Sequence, residues 1–219
     1  MTLYYEADGI TLYHGDCLEI DAWLGGDVLV TDPPYGIGWT NTSYAPNGNT
    51  NYMTHGSHIA NDKTTEVRDR VVEMWGTRPA ALFGDARRPV SSAKIALVWK
   101  KPANSGFLGP VAGFRRDWEA IFLCGEFPPS KAERSGVIET GATHYATYIN
   151  RNGHPHAKPD DVMETLIEAM PPGTVVDPFA GSGSTLLAAR NQGRTAIGVE
   201  IEERYCETIA GRLAQGLLI

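Results

Sequence analysis

The 219-residue sequence predicts an α/β fold in which a mostly parallel sheet carries helices on both faces. Three observations carry that prediction. Short apolar runs of strand length alternate with segments of helical period. Several of those runs end on an acid. One of them leads into a glycine-rich loop and then a helix.

Along the chain, Thr11–Asp16 (TLYHGD) reads as a short strand reaching an acid, with a helical turn through Leu18 and Trp23 after it. Val28, Leu29 and Val30 form an unbroken apolar run, the pattern of a strand buried on both faces. Gly36 to Asn61 is poor in large aliphatics and rich in Asn, Thr, Gly, Ser and Tyr, so a long polar loop is expected, mobile over about 39–61. Val67, Val71, Met74 and Trp75 recur at helical spacing within Thr64–Trp75, and Thr64 is placed to cap that helix. AALFGD, KIALVWKK and WEAIFLCG read as three buried strands, and Phe127–Gly153 as irregular. Val162, Leu166, Ile167 and Met170 mark one face of a helix over Asp160–Met170, which Pro171 and Pro172 stop. A strand and glycine loop (GTVVDPFAGSGST), a helix (LLAARNQG), a strand (TAIGVEI) and a last helix (EERYCETIAGRL) complete the pattern, which is read as one domain over 1–219.

The formal net charge is −7, which alone argues against a polyanionic partner. The distribution is uneven, however. Between Arg87 and Lys158 stand eleven Lys/Arg against five Asp/Glu, a local excess of +6. A positive face on an acidic body is compatible with nucleic-acid binding, and dispersed solvated charge explains the count equally well. Cys17, Cys124 and Cys206 are odd in number and far apart, which suits packed thiols in a reducing cytosol. No secretory leader is visible in Met1–Ile10, no apolar run reaches membrane-spanning length, and no histidine grouping suggests a metal.

Two segments carry chemistry. In VLVTDPPYGIGW, a buried strand ends in Asp32, Pro33, Pro34 and Tyr35. Two prolines fix φ twice and remove two backbone donors, so the loop is stiff and its carbonyls lack nearby partners. Asp32 and Tyr35 then sit at the carboxyl end of a strand, where open α/β sheets place ligands. On this stretch alone, a proline-rich turn with a packed tyrosine explains the residues as well. In VVDPFAGSGST, a strand runs into Asp177, and Gly181 and Gly183 allow a sharp turn and close backbone approach to a ligand. Glu200 ends the next strand, nineteen residues beyond Gly181, where an acid accepts hydrogen bonds from a ribose diol. The pair points to an adenosine-type nucleotide.

Together these segments resemble the amino-group DNA methyltransferases, which methylate exocyclic nitrogens of adenine or cytosine with S-adenosyl-L-methionine. DPPY looks like the family's catalytic motif, DPFAGSGST its methionine-binding motif, HPHAKP (His154 to Pro159) its HPxxKP segment, and LYHGDCLE the segment whose acid meets the cofactor adenine. DPPY precedes the glycine loop, which matches the circularly permuted β-class order. The resemblance implies a class I S-adenosylmethionine-dependent, Rossmann-like fold. It implies that Asp32 and the Pro33 carbonyl, held by Pro34, accept the target amine while Tyr35 stacks on a flipped base. Asp16, Cys17, Asp32, Lys158, Asp177, Phe179, Gly181, Ser182, Gly183, Ser184, Thr185 and Glu200 are the implied cofactor-side residues, with no metal. DNA is the implied partner, with a short recognition segment over about 125–152, no membrane, and a cytoplasmic location; a homodimer and a cognate restriction nuclease stay open. Adenine N6 is the expected target, because a serine in place of Asp32 is more usual for cytosine N4. Cytosine N4 methylation and a weakly catalytic nucleic-acid-binding subunit are the alternatives.

Overall fold

The computed structural model describes residues 2–38, 60–102, 105, 111–131, 133–140 and 157–215. In chain order these form β1 (Thr2–Ala7), β2 (Ile10–His14), a 3-10 turn (Ala22–Gly25), β3 (Val28–Thr31), α1 (Glu66–Trp75), β4 (Ala80–Gly84), β5 (Ala93–Lys100) and β6 (Trp118–Cys124). Then follow β7 (Val137–Glu139), α2 (Asp160–Ala169), β8 (Val175–Asp177), α3 (Ser184–Asn191), β9 (Ala196–Glu200) and α4 (Glu203–Gln215). The strands make one sheet in the order β1-β2-β9-β8-β3-β4-β6-β5-β7.

From β2 through β9, β8 and β3 to β4, every pairing is parallel. The margins are not: β1 pairs with β2, and β6 with both β4 and β5, in antiparallel fashion, while β7 runs parallel to β5. The chain leaves β8 toward β9 on one side and β3 toward β4 on the other. The β3–β8 boundary is therefore the topological switch point, and a crevice opens beyond the strand ends there.

Period-two side-chain alternation divides the core between the two faces. Val28 and Val30 join Ile10, Leu12 and Phe83 in a layer covered by Val162, Met163, Leu166 and Ile167 of α2, Leu186 of α3, and Ile209 and Leu213 of α4. Leu29 faces the other way, with Leu82, Val176 and Val199, under Trp23 and α1 residues Val71 and Trp75. Trp23 and Trp75 stack at 6.0 Å between centroids, and the Arg78 guanidinium lies 3.6 Å over the Trp75 ring. At about 25 cal/mol per Å² of apolar surface, this two-sided burial is the main stabilising term.

Four expectations are corrected. β1 was not read as a strand, because its TLYYEA sequence is mostly solvent-facing and becomes a strand by hairpin pairing with β2. β7 lies inside the stretch read as irregular, and only its pairing with β5 identifies it. α1 begins at Glu66, so Thr64 is not its cap; Thr65 flanks the helix and its hydroxyl is 2.7 Å from Asp69 Oδ2. β5 is not a buried strand: only Trp99 of its residues is buried, because β5 lies at the sheet margin between β6 and the three-residue β7. Most of the polar loop over 39–61, and much of the segment over 125–152, lies outside the described residues, as do His154, Pro155 and His156. Among the described residues, no helix is long and apolar enough to cross a membrane.

Candidate active site

Acids stand at the carboxyl edge of all five parallel strands. Asp16 follows β2, Asp32 follows β3, Asp85 follows β4, and Asp177 and Glu200 end β8 and β9. They surround a cleft of about 620 Å³, and the glycine loop and the DPPY loop both contribute to its wall. Asp16, Cys17, Asp32, Pro33, Pro34, Tyr35 and Lys158 all line it, as do Asp177, Phe179, Gly181, Ser182, Ser184, Thr185 and Glu200. Gly183 does not; it is the N-cap of α3.

On the glycine-loop side, Glu200 is the organising group. Its Oε2 accepts the Gly181 N–H at 2.7 Å and its Oε1 accepts the Glu202 N–H at 2.8 Å. Burial, only partly offset by those two donors, pushes its carboxyl up to about 7. Gly183 has φ of 82°, and a Cβ there would meet Ile209 of α4 at 2.9 Å, so the loop packs onto α4 as only glycine permits. The Ser182 and Ser184 hydroxyls lie 3.1 Å apart, and Arg212 donates to the Ser182 carbonyl. Thr185 is buried and hydrogen-bonds Asp177.

Asp177 is buried where β8 meets the cleft. Its Oδ1 accepts the Thr31 hydroxyl at 2.6 Å and the Phe179 N–H at 3.0 Å, which ties the end of β3 to the loop. Burial raises its carboxyl to about 6, against the lowering effect of Thr185, Thr31 and Phe179. After β2, Asp16 Oδ1 accepts the Leu18 N–H at 2.9 Å. Cys17 is buried beside it, its thiol pushed up to about 12 by burial and by Asp16. Phe179 is half-buried and packs on the Trp23–Trp75 side of the core.

The DPPY loop is held by a network that its own sequence does not announce. Tyr35 Oη lies 2.8 Å from Asp32 Oδ1 and 2.9 Å from Glu119 Oε2. Lys158 Nζ donates to Asp32 Oδ2 and lies 3.4 Å from Glu119 Oε2. Lys101 Nζ takes Glu119 Oε1 at 2.5 Å. Lys101, Glu119, Lys158 and Asp32 therefore alternate in sign, and the Lys158 side chain is only 6% exposed. Burial would raise the Glu119 carboxyl, but Lys158 and Lys101 outweigh it and hold it at about 2. Burial and the flanking carboxylates keep the Tyr35 phenol well above its usual range. The Lys158 ammonium, one of the implied cofactor-side groups, is paired with Asp32 and Glu119.

Two residues outside the sequence-based candidates belong to this site. Glu119 is the second residue of β6, and its only sequence signal is an acid near the head of an apolar strand inside a basic section. Asp62 is 3% exposed; its Oδ1 accepts the Gly36 N–H at 2.8 Å and its carbonyl accepts the Gly38 N–H at 2.6 Å, pinning the chain after Tyr35. The +6 section is also less free than its count. Arg87 pairs with Asp85, Lys100 with Glu139, Arg115 with Asp117 and Arg134 with Glu168. Arg115, Arg116 and Trp118 nevertheless remain on the cleft wall.

The chemistry of the cleft is thus a donor-lined glycine loop with a buried acceptor, together with a second acceptor group on a rigid loop. Type II methyltransferase M.ScaI of Streptomyces caespitosus is 28% identical to this chain over 96% of it and 83% of its own length. The crystal structure of an M1.HpyAVI–SAM complex superposes with a TM-score of 0.62 at 23% identity, covering 93% of this chain and 99% of that one. PvuII DNA methyltransferase, cytosine-N4-specific, gives a TM-score of 0.64 at 15% identity over 96% and 88%. Both likenesses are of fold. A family model described as DNA methylase matches residues 27–211, from the start of β3 to within α4, so the DPPY and glycine loops lie inside the match, while Gly15, Asp16 and Cys17 of the cleft wall precede it. The chain belongs to the N6/N4 DNA methylase family and is a DNA methyltransferase of the amino-methylating kind.

Proposed function

We propose that the protein transfers the methyl group of S-adenosyl-L-methionine to the exocyclic N6 of adenine in DNA. The observation that carries this reading is that the Glu200-bound glycine loop and the Asp32–Pro33 acceptor pair line one cleft at the ends of neighbouring strands. The cofactor fits the residues present. Glu200 uses one lone pair of each oxygen on backbone N–H groups and keeps capacity for a ribose diol. The buried Ser184 and Thr185 hydroxyls lie beside the loop for the amino-acid end, and Asp16 with Cys17 borders the adenine end. A cleft of about 620 Å³ is of a size for a nucleoside ligand together with a base.

When bound, S-adenosylmethionine supplies a methyl group on a sulfonium that leaves as a neutral thioether. The residues of this chain have to make a conjugated amine nucleophilic. Asp32 and the Pro33 carbonyl accept its two hydrogens, which favours a tetrahedral nitrogen and frees the lone pair. Among the described residues no donor is bonded to the Pro33 carbonyl, as two consecutive prolines allow. The Tyr35 ring offers a face for the base, which leaves the duplex to reach this depth. The proton departs after transfer, when the methylated amine is cationic and acidic. Asp32, rather than serine, supports adenine over cytosine N4. The exposed Arg116 and Trp118 at the rim fit phosphate and base contacts, which position DNA without specifying sequence. The short segment over 125–152 suits a short recognition sequence.

The reading is tested by nucleoside mass spectrometry of DNA incubated with the protein and S-adenosylmethionine. N6-methyladenine is the expected product, N4-methylcytosine corrects the base, and neither product rejects the function.

Cofactor affinity follows the Glu200 charge. Because its carboxyl sits near pH 7, binding to the ionised form requires proton release below that pH. Wild-type affinity for S-adenosylmethionine therefore weakens from pH 8 to pH 6. Glu200→Gln binds more weakly at pH 8, by roughly ten- to a hundredfold, and shows a flatter pH profile. Calorimetry at several pH values checks both; parallel profiles remove Glu200 from the cofactor site.

DNA affinity should fall steeply with salt despite the net charge. The double change Arg115→Glu with Arg116→Glu weakens binding to any sequence and flattens the log–log salt slope by up to about 2, at roughly 0.9 per phosphate. Cofactor affinity stays put. An unchanged slope takes this rim off the DNA path.

A further inference from the structure

We infer that Glu119 is a positioning residue for methyl transfer: it accepts a share of the Tyr35 hydroxyl and the Lys158 ammonium, and so leaves Asp32 able to accept the target amine. The inference rests on the amino-methylation reading and adds a residue to it.

A carboxylate offers about four acceptor positions, and a tyrosine hydroxyl has a single proton to give. That proton lies between Asp32 Oδ1 at 2.8 Å and Glu119 Oε2 at 2.9 Å, two acceptors of nearly equal reach. Rotation about the phenolic C–O bond turns it from one to the other. The Lys158 ammonium bridges the same two carboxylates, bonded to Asp32 Oδ2 and 3.4 Å from Glu119 Oε2. Both donors that hold Asp32 therefore have an alternative acceptor already in place.

Glu119 is fixed for this task. Its other oxygen is held by Lys101 at 2.5 Å, and the Lys101 N–H is itself bonded to the Asp117 carbonyl at 2.7 Å. Its backbone lies in β6, paired with Trp99 of β5. A target amine donating to Asp32 competes with Tyr35 and Lys158 for the same oxygens. With Glu119 present, the hydroxyl and the ammonium shift toward it and no hydrogen bond is lost. Without it, both donors stay on Asp32, and two lysine charges face each other with one counter-ion in a site that is only partly exposed. The cost of an unpaired buried charge makes that arrangement unfavourable for the reaction as well as for the fold.

Two substitutions separate charge from shape. Glu119→Gln keeps the outline and removes the charge; Glu119→Asp keeps the charge and shortens the reach. Single-turnover methyl transfer is measured at saturating DNA and S-adenosylmethionine, with cofactor affinity by calorimetry. The expected result is a loss of about tenfold to a hundredfold in rate for Glu119→Gln, with cofactor affinity within about threefold of wild type. Glu119→Asp retains more of the rate than Glu119→Gln. Combined with Tyr35→Phe, which removes the shared proton and keeps the ring, the Glu119→Gln loss shrinks, because the two residues act through one donor. Wild-type rate in Glu119→Gln, equal loss of rate and cofactor affinity, or losses that multiply independently would each overturn the inference. A wild-type protein that methylates no base overturns the amino-methylation reading itself, an outcome distinct from full activity in the variant.

Discussion

A charge buried at the end of a strand must be matched by a partner, and the cleft of this protein is arranged around that constraint. Its parallel strands end in acids, where helices and loops shut out much of the water. Each buried acid has found donors: Thr31, Thr185 and the Phe179 N–H for Asp177, the Gly181 and Glu202 N–H groups for Glu200, and Lys158 with Tyr35 for Asp32. Those pairings carry the loops into place. Asp177 joins β3 to the glycine loop, Glu200 joins that loop to the end of β9, and Lys158 draws the chain before α2 onto the DPPY loop. The geometry of the site is thus a consequence of neutralising its acids.

The acids differ in what their partners leave available. Asp177 is buried against hydroxyls and a backbone N–H, and burial raises its carboxyl to about 6. Glu200 is raised further, to about 7, so it is poised to gain from a ligand that donates two hydroxyl protons. Glu119 lies between two lysines and is held at about 2, so it stays ionised and steadies its neighbours. Three carboxylates in one cleft therefore have three electrostatic characters, each set by the elements around it.

Much of this was legible in the sequence. β3, β8 and β9 appear as apolar runs, and Asp32, Asp177 and Glu200 as the acids that end or follow them, because buried parallel strands and glycine turns have local signatures. The residues that failed to show are those whose role depends on pairing across the chain. Glu119 and Lys101 lie on different strand ends and reach Lys158 and Asp32 only after the sheet assembles. Lys158 could be placed in the site by motif but not given its partner. Strands β1 and β7 were missed for the same reason, since an edge strand is defined by its neighbour more than by its own side chains. Asp62 lies just past a polar loop and has no local pattern to distinguish it. Local chemistry is written in short segments; electrostatic partnership is written in the fold.

The central claim is that Asp32 serves chiefly the amine in the transition state, with only a secondary role near the cofactor. Single-turnover methyl transfer by Asp32→Ala, with S-adenosylmethionine affinity measured on the same preparation, tests it most directly. The account predicts that transfer falls by at least about a hundredfold while cofactor affinity stays within a few fold. Transfer above about a tenth of the wild-type rate, or a loss confined to cofactor binding, would contradict it.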